Sequence, residues 1–100
     1  MVKHDILWKL KEELTAEEKE NVKAGIKEGL EGLAGKVPGL VDVKVNINGL
    51  PTSTVDVMLD TTFTDADALK AYSTNPLHVA IADGKVRPYT AVRSCLDYEV

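Results

Sequence analysis

Apolar and polar residues alternate from His4 to Leu10: His4, Ile6, Trp8 and Leu10 fall on one side, and Asp5, Leu7 and Lys9 on the other. A period of two predicts a strand, with its first side the more apolar. The next residues, Thr15-Ala16-Glu17-Glu18, predict a helix start. Thr15 can cap the helix while Glu18 returns a hydrogen bond to the cap, and both glutamates sit at the positive end of the helix dipole. Val22, Ile26, Leu30 and Leu33 then recur at helical spacing, an apolar stripe on an otherwise charged helix. Gly25, Gly29 and Gly32 interrupt it, and each interior glycine costs about 1 kcal/mol relative to alanine. They predict either a close approach of the backbone to its neighbours or a cavity, and close packing is the commoner reason. Pro38-Gly39 ends the helical region.

Val41, Val43, Val45 and Ile47 alternate with Asp42, Lys44 and Asn46, a half-buried strand. After the turn residues Asn48-Gly49-Leu50-Pro51, Val55, Val57 and Leu59 alternate with Asp56, Met58 and Asp60. The two runs predict an antiparallel hairpin. Thr64-Asp65-Ala66-Asp67 opens a second helix with Ala68, Leu69 and Tyr72 on one side. Asn75 and Pro76, a good cap and a good first helical residue, open a third that carries Leu77, Ala80 and Ile81 and ends near Gly84. Ala91 to Val100 alternates again as a last strand. The order β-α-β-β-α-α-β predicts one α+β, ferredoxin-like domain over residues 1–100, with a four-stranded antiparallel sheet and helices on one face. Ile6, Trp8, Val43, Val45, Val57 and Leu59 should face the helices. The other face would hold Leu7 and Met58 among Asp5, Lys9, Lys44, Asn46, Asp56 and Asp60, which leaves a wet sheet face and a partner surface both open.

The chain has 100 residues, 44% hydrophobic and 28% charged, with a net charge of −4. A single small core fits that size and balance. The acidic excess argues against nucleic-acid binding, which draws its affinity from Lys and Arg. No apolar run is long enough for a membrane helix, and no apolar signal core follows Met1-Val2-Lys3-His4-Asp5. Cys95 is the only cysteine and fits a reducing compartment, so a cytoplasmic protein is expected.

Several segments together resemble the stress-responsive A/B barrel domain (Dabb) family, the dimeric α/β-barrel proteins. They are Val2-Lys3-His4 and Lys9-Leu10-Lys11 in the first strand, Thr15 to Glu18, Pro38-Gly39, the run Ala71-Tyr72-Ser73-Thr74-Asn75-Pro76-Leu77-His78-Val79-Ala80, and the closing Asp97-Tyr98-Glu99-Val100. The resemblance covers essentially the whole chain. It implies ferredoxin-like protomers whose sheets pack face to face in a homodimer, with Leu7 and Met58 at the contact. One branch of the family is similar to plant polyketide cyclases, and the resemblance carries their two histidines and tyrosine onto His4, Tyr72 and His78. Asn75 stands where family members commonly have histidine before the proline.

His78 is the third residue of the helix opened by Pro76. A helix N-terminus disfavours imidazolium, so a neutral His78 is expected. A neutral imidazole beside a phenol can take a proton from carbon while charge is stabilised on a carbonyl oxygen, as an aldol-type ring closure requires. The bland alternative has Tyr72 and His78 as satisfied packing residues. Around them a pocket between sheet and helices, lined by Ile6, Trp8, Ile26, Leu59, Leu69 and Ile81, would take a small apolar molecule. Two histidines far apart, with no HxH or CxxC spacing, give no metal signal, and no cofactor is expected. Asp97 and Glu99 could hold Mg²⁺ at a rim but read first as a solvated acidic terminus. Cys95 reads as buried filler rather than a nucleophile, since the sequence places no histidine beside it. Two functional classes follow: a binding or protective module, and a cofactor-free enzyme that is cyclase-like or monooxygenase-like by resemblance. A cavity reaching both Tyr72 and His78 separates the second from a packed interior.

Overall fold

A computed structural model describes residues 1–100. The alternating segments form β1 (Val2–Leu10), β2 (Leu40–Asn46), β3 (Val57–Phe63) and β4 (Thr90–Glu99). They make one antiparallel sheet in the order β2-β3-β1-β4. The helices are α1 (Ala16–Glu31), α2 (Ala66–Thr74) and α3 (Pro76–Ile81), the last running into a π-turn at Ala82–Val86 and a 3₁₀ turn at Arg87–Tyr89. The third helical segment therefore does not stop at Gly84. The ferredoxin-like α+β architecture is as the patterning predicts.

Helix starts are fixed locally. Thr15 Oγ1 accepts from the Glu18 amide at 3.1 Å and the Thr15 amide donates to Glu18 Oε1 at 2.9 Å, a complete capping box. Asp65 caps α2 and Asn75 caps α3 by a single bond each, their side-chain oxygens accepting from the Ala68 and Leu77 amides. The helices cover the sheet face bearing Ile6, Trp8, Leu10, Val45, Val57 and Leu59, all buried, and Ile26, Leu30 and Leu33 close over them. Apolar burial of this kind contributes roughly 25 cal/mol per Å² and is the main stabilising term.

Two glycines show why close approach matters. A Cβ on Gly29 would stand 2.9 Å from Ile81 Cγ2, so α1 and α3 touch backbone to side chain there. The close-packing reading of that glycine is correct. Gly39 has φ +80° and a Cβ on it would lie 2.4 Å from the Ala68 Cβ, so the turn into β2 needs glycine for both conformation and space.

The β2 register departs from strict alternation. Leu40 pairs with Phe63 and Asp42 with Thr62, so Val41 is the extra residue of a bulge. Val41 therefore turns to solvent, 52% exposed, while Leu40 packs on the core. β2 is also an edge strand. The Val45 amide donates to Glu31 Oε2 (2.9 Å), and the Val45 carbonyl accepts from Lys27 Nζ (2.7 Å). The Lys27–Glu31 pair thus satisfies two groups that would otherwise invite another strand. Val55 lies outside β3, which runs on to Phe63 instead.

Candidate functional site

Three elements bring the predicted residues together. β1 directs His4, Ile6 and Trp8 toward the helices, α2 supplies Leu69 and Tyr72, and Pro76 starts α3 so that His78 falls in its first turn. They line a cavity of about 170 Å³. Its apolar wall is Ile6, Trp8, Leu30, Leu59, Leu69 and Val86. Ser73, Thr90, Arg87 and Arg93 reach its polar side. Of the expected pocket residues, Ile26 and Ile81 are elsewhere. Ile26 is wholly buried in the packing of α1 on the sheet, and Ile81 fills the space over Gly29. Both lie on the predicted apolar faces, but those faces are wider than the cavity.

The aromatic residues form a chain. His4 meets Phe63 and Tyr72 edge-on, with ring centroids 6.4 and 6.2 Å apart. Phe63 and Tyr72 are 5.0 Å apart. Tyr72 and His78 are 4.0 Å apart with their planes inclined by 35°. Such contacts fix ring orientation. Tyr72 is 1% exposed, and burial pushes its hydroxyl up to about 12. It stays a proton donor across the working pH range.

His78 is neutral at pH 7. Loss of water is the main cause of its lowered pKa. The nearby Ser73 backbone carbonyl, which makes no hydrogen bond of normal geometry to the ring, pulls part of the way back, and the Arg87 and Arg93 guanidiniums, with the neighbouring His4, push it further down. The reason therefore differs from the helix-end argument. Burial and nearby positive charge do the work, and α3 is only six residues long. Tyr72 Oη and His78 Nδ1 are both buried without a hydrogen-bond partner. A buried polar group left unpaired costs about 1–3 kcal/mol, and nearly all such groups in folded proteins find partners.

His4 is held differently. Thr61 Oγ1 donates to the His4 carbonyl at 2.6 Å. Asp97, the cross-strand neighbour of His4, accepts from His4 Nδ1 at 2.5 Å. The Asp97 carboxyl is held below the ordinary carboxylate range: its partial burial acts upward but is outweighed by hydrogen bonds from His4 and Cys95. An ionised carboxylate only accepts, so Nδ1 carries the proton. Asp97 is thus a partner of His4 and not a free acidic rim. Cys95 also differs from expectation. It is exposed, because β4 extends past the helices, and its Sγ is 3.8 Å from His4 Nδ1. No sequence signal places residues 4 and 95 side by side. The β1–β4 register does so, and Ile6 pairs with Cys95. Arg87 and Arg93 were likewise not singled out in the sequence, although an arginine alternating on the same face as Asp97 was legible once β4 was placed.

A ferredoxin-like protomer with a cavity enclosed between its sheet and its helices is the class of protein that this geometry defines. The chain belongs to the stress responsive A/B barrel domain (Dabb) family, whose model matches residues 2–100. It is similar to a dimeric protein of unknown function and ferredoxin-like fold from Bacteroides fragilis, at 34% identity over 99% of this chain and 95% of that one, TM-score 0.92. A Dabb family protein from Mesorhizobium loti shares the fold at 17% identity (99% and 95% of the two chains, TM-score 0.75). So does a hydroxynitrile lyase from Passiflora edulis at 16% identity (97% and 90%, TM-score 0.71). Among proteins of curated function none matches this chain. No helix is long and apolar enough to cross a membrane.

Proposed function

We propose that the chain works as a cytoplasmic homodimer in which each protomer binds a small, mostly apolar molecule bearing a carbonyl or hydroxyl oxygen. One observation carries the reading: Tyr72 Oη and His78 Nδ1 sit buried and unpaired on the wall of an otherwise apolar cavity. A ligand oxygen reaching them relieves both costs at once. The volume sets the scale. A dry cavity of about 150 Å³ takes a benzene ring, so about 170 Å³ suits one ring or a short chain with a few substituents. The test is ligand-observed NMR with a panel of single-ring ketones, phenols and matched hydrocarbons. Binding of the oxygenated members, lost in Tyr72→Phe and His78→Ala, supports the reading. Equal binding of the hydrocarbons, or binding unchanged by both substitutions, removes it.

The dimer rests on the uncovered sheet face and on the dimeric relative from Bacteroides fragilis. Leu7, Val92, Leu96 and Tyr98 on that face are 38–64% exposed. A patch of this kind commonly marks an interface. Light scattering should give twice 10.9 kDa for the wild type and a single chain for Leu96→Glu. The acidic charge balance supports a role away from nucleic acid. The lone Cys95 supports the cytoplasmic placement.

A second reading, cyclase-like ring closure, is favoured by the neutral His78 stacked on a protonated Tyr72. His78 would take a proton from carbon while the Tyr72 hydroxyl meets the developing oxyanion. Turnover of a poly-β-keto substrate should fall at least about a hundredfold in His78→Ala. Unchanged turnover ends this reading and leaves binding intact.

A further inference from the structure

β4 leaves the shelter of the helices, and its side facing them carries Arg93, Cys95 and Asp97 in alternation. Two of these residues and one from the next strand meet in space. His4 Nδ1 lies 2.5 Å from Asp97 Oδ1 and 3.8 Å from Cys95 Sγ, and Cys95 Sγ lies 3.4 Å from Asp97 Oδ1. All three ligand atoms fall within 4.8 Å of one another. We propose that His4, Cys95 and Asp97 form a three-ligand site for a divalent transition metal of the zinc type.

The geometry fits that class. Zinc bonds of about 2.0–2.1 Å to nitrogen and oxygen and about 2.3 Å to sulfur, set tetrahedrally, place ligand atoms roughly 3.3–3.6 Å apart. Two of the three separations are within about 0.3 Å of that range, and only the His4–Asp97 hydrogen bond must open. Two ligands at i and i+2 on one strand, with the cross-strand partner of the second, all point to one side. The set is rigid at its centre: His4 is 8% exposed, its carbonyl is held by Thr61, and its ring packs against Phe63 and Tyr72. Sulfur and imidazole favour zinc over magnesium or calcium, which prefer all-oxygen sites.

Proton and charge bookkeeping are consistent with this assignment. In the metal-free protein two protons hold the cluster together, one between His4 and Asp97 and one on the Cys95 thiol. Metal binding moves the first to His4 Nε2 and releases the second to water, so affinity rises with pH. A dication with one thiolate and one carboxylate makes a neutral site, which the neighbouring Arg93 guanidinium does not oppose. Three protein ligands leave a fourth position for water, as in catalytic zinc sites.

Cobalt(II) titration of the full chain tests the site, independently of any cavity ligand. The expected result is one Co²⁺ per chain, a thiolate-to-cobalt band in the near ultraviolet, tetrahedral bands in the visible, and bleaching by Zn²⁺. Cys95→Ser should abolish the near-ultraviolet band. Losing even an outer partner costs about 10- to 100-fold in metal affinity, so Asp97→Asn should weaken binding at least that much. Both positions are exposed, and circular dichroism of each variant checks that the fold is kept. A wild type with no thiolate band in excess cobalt overturns the proposal. So does a band that survives Cys95→Ser.

Discussion

The two faces of the sheet are made by the same strands and differ in nearly everything else. On the covered face, Ile6, Leu59 and Phe63 are at most 4% exposed, and His4 and Thr61 are the polar residues among them. On the open face, the cross-strand neighbours Asp5 and Asp60 sit beside Lys3, which pairs with Asp60 at 2.6 Å, and Leu7 and Leu96 remain exposed. The covered face is where a missing hydrogen bond is expensive, which is why the proposed ligand is set against its unpaired Tyr72 and His78 atoms. On the open face water or a second copy can settle the same debts.

The largest effect that sharpens this contrast should come from truncating the covered face. Phe63→Ala removes a fully buried ring packed on Tyr72 and should cost about 3–5 kcal/mol in urea unfolding. Leu96→Ala on the open face should change the monomer by no more than about 0.5 kcal/mol. Comparable losses would mean that the two faces are not distinct.

A smaller effect of opposite sign is expected at Asp5. Burial first, then Asp60, raises its carboxyl above the ordinary range. A group that holds its proton more tightly in the fold stabilises at low pH, and that stability is lost as pH rises through its folded value. Like charges directly opposite on a sheet cost roughly 0.2–1 kcal/mol. Asp5→Asn should therefore raise stability at pH 7 by about that amount and leave it unchanged near pH 3. A loss at pH 7 would contradict this.

The smallest effect is the pH slope at His78. Its lowered pKa means that the unfolded chain binds a proton more readily than the folded one. Stability from this group is full above about pH 6.5 and falls as the solution is acidified below it. The difference in unfolding free energy between wild type and His78→Gln should shrink from pH 7.5 to pH 5. A constant difference would show that His78 is as hydrated as a surface residue.

Much of the fold was legible because it is written in local terms. The Thr15–Glu18 box, the Asn75-Pro76 start and the alternation in β1 and β3 each follow from residues close in sequence. Tyr72 and His78 are six positions apart across a helix junction, so their meeting was also readable. Three features were not. The bulge at Val41 breaks a run of alternating valines that gives no sign of it. Ile26 and Ile81 share the periodicity of the cavity wall, yet helix-to-helix packing takes them away from it. The His4–Cys95–Asp97 cluster joins residues more than ninety positions apart and depends on a strand register that composition does not encode.

The central claim is that the covered face reserves two buried polar atoms for a ligand. The most direct measurement is a crystal structure of the protein soaked with the single-ring ketones and phenols. The account predicts ligand density in the cavity, with an oxygen within hydrogen-bond distance of both Tyr72 Oη and His78 Nδ1. Ordered water satisfying both atoms in every soak, or side chains collapsed into the space, would contradict it.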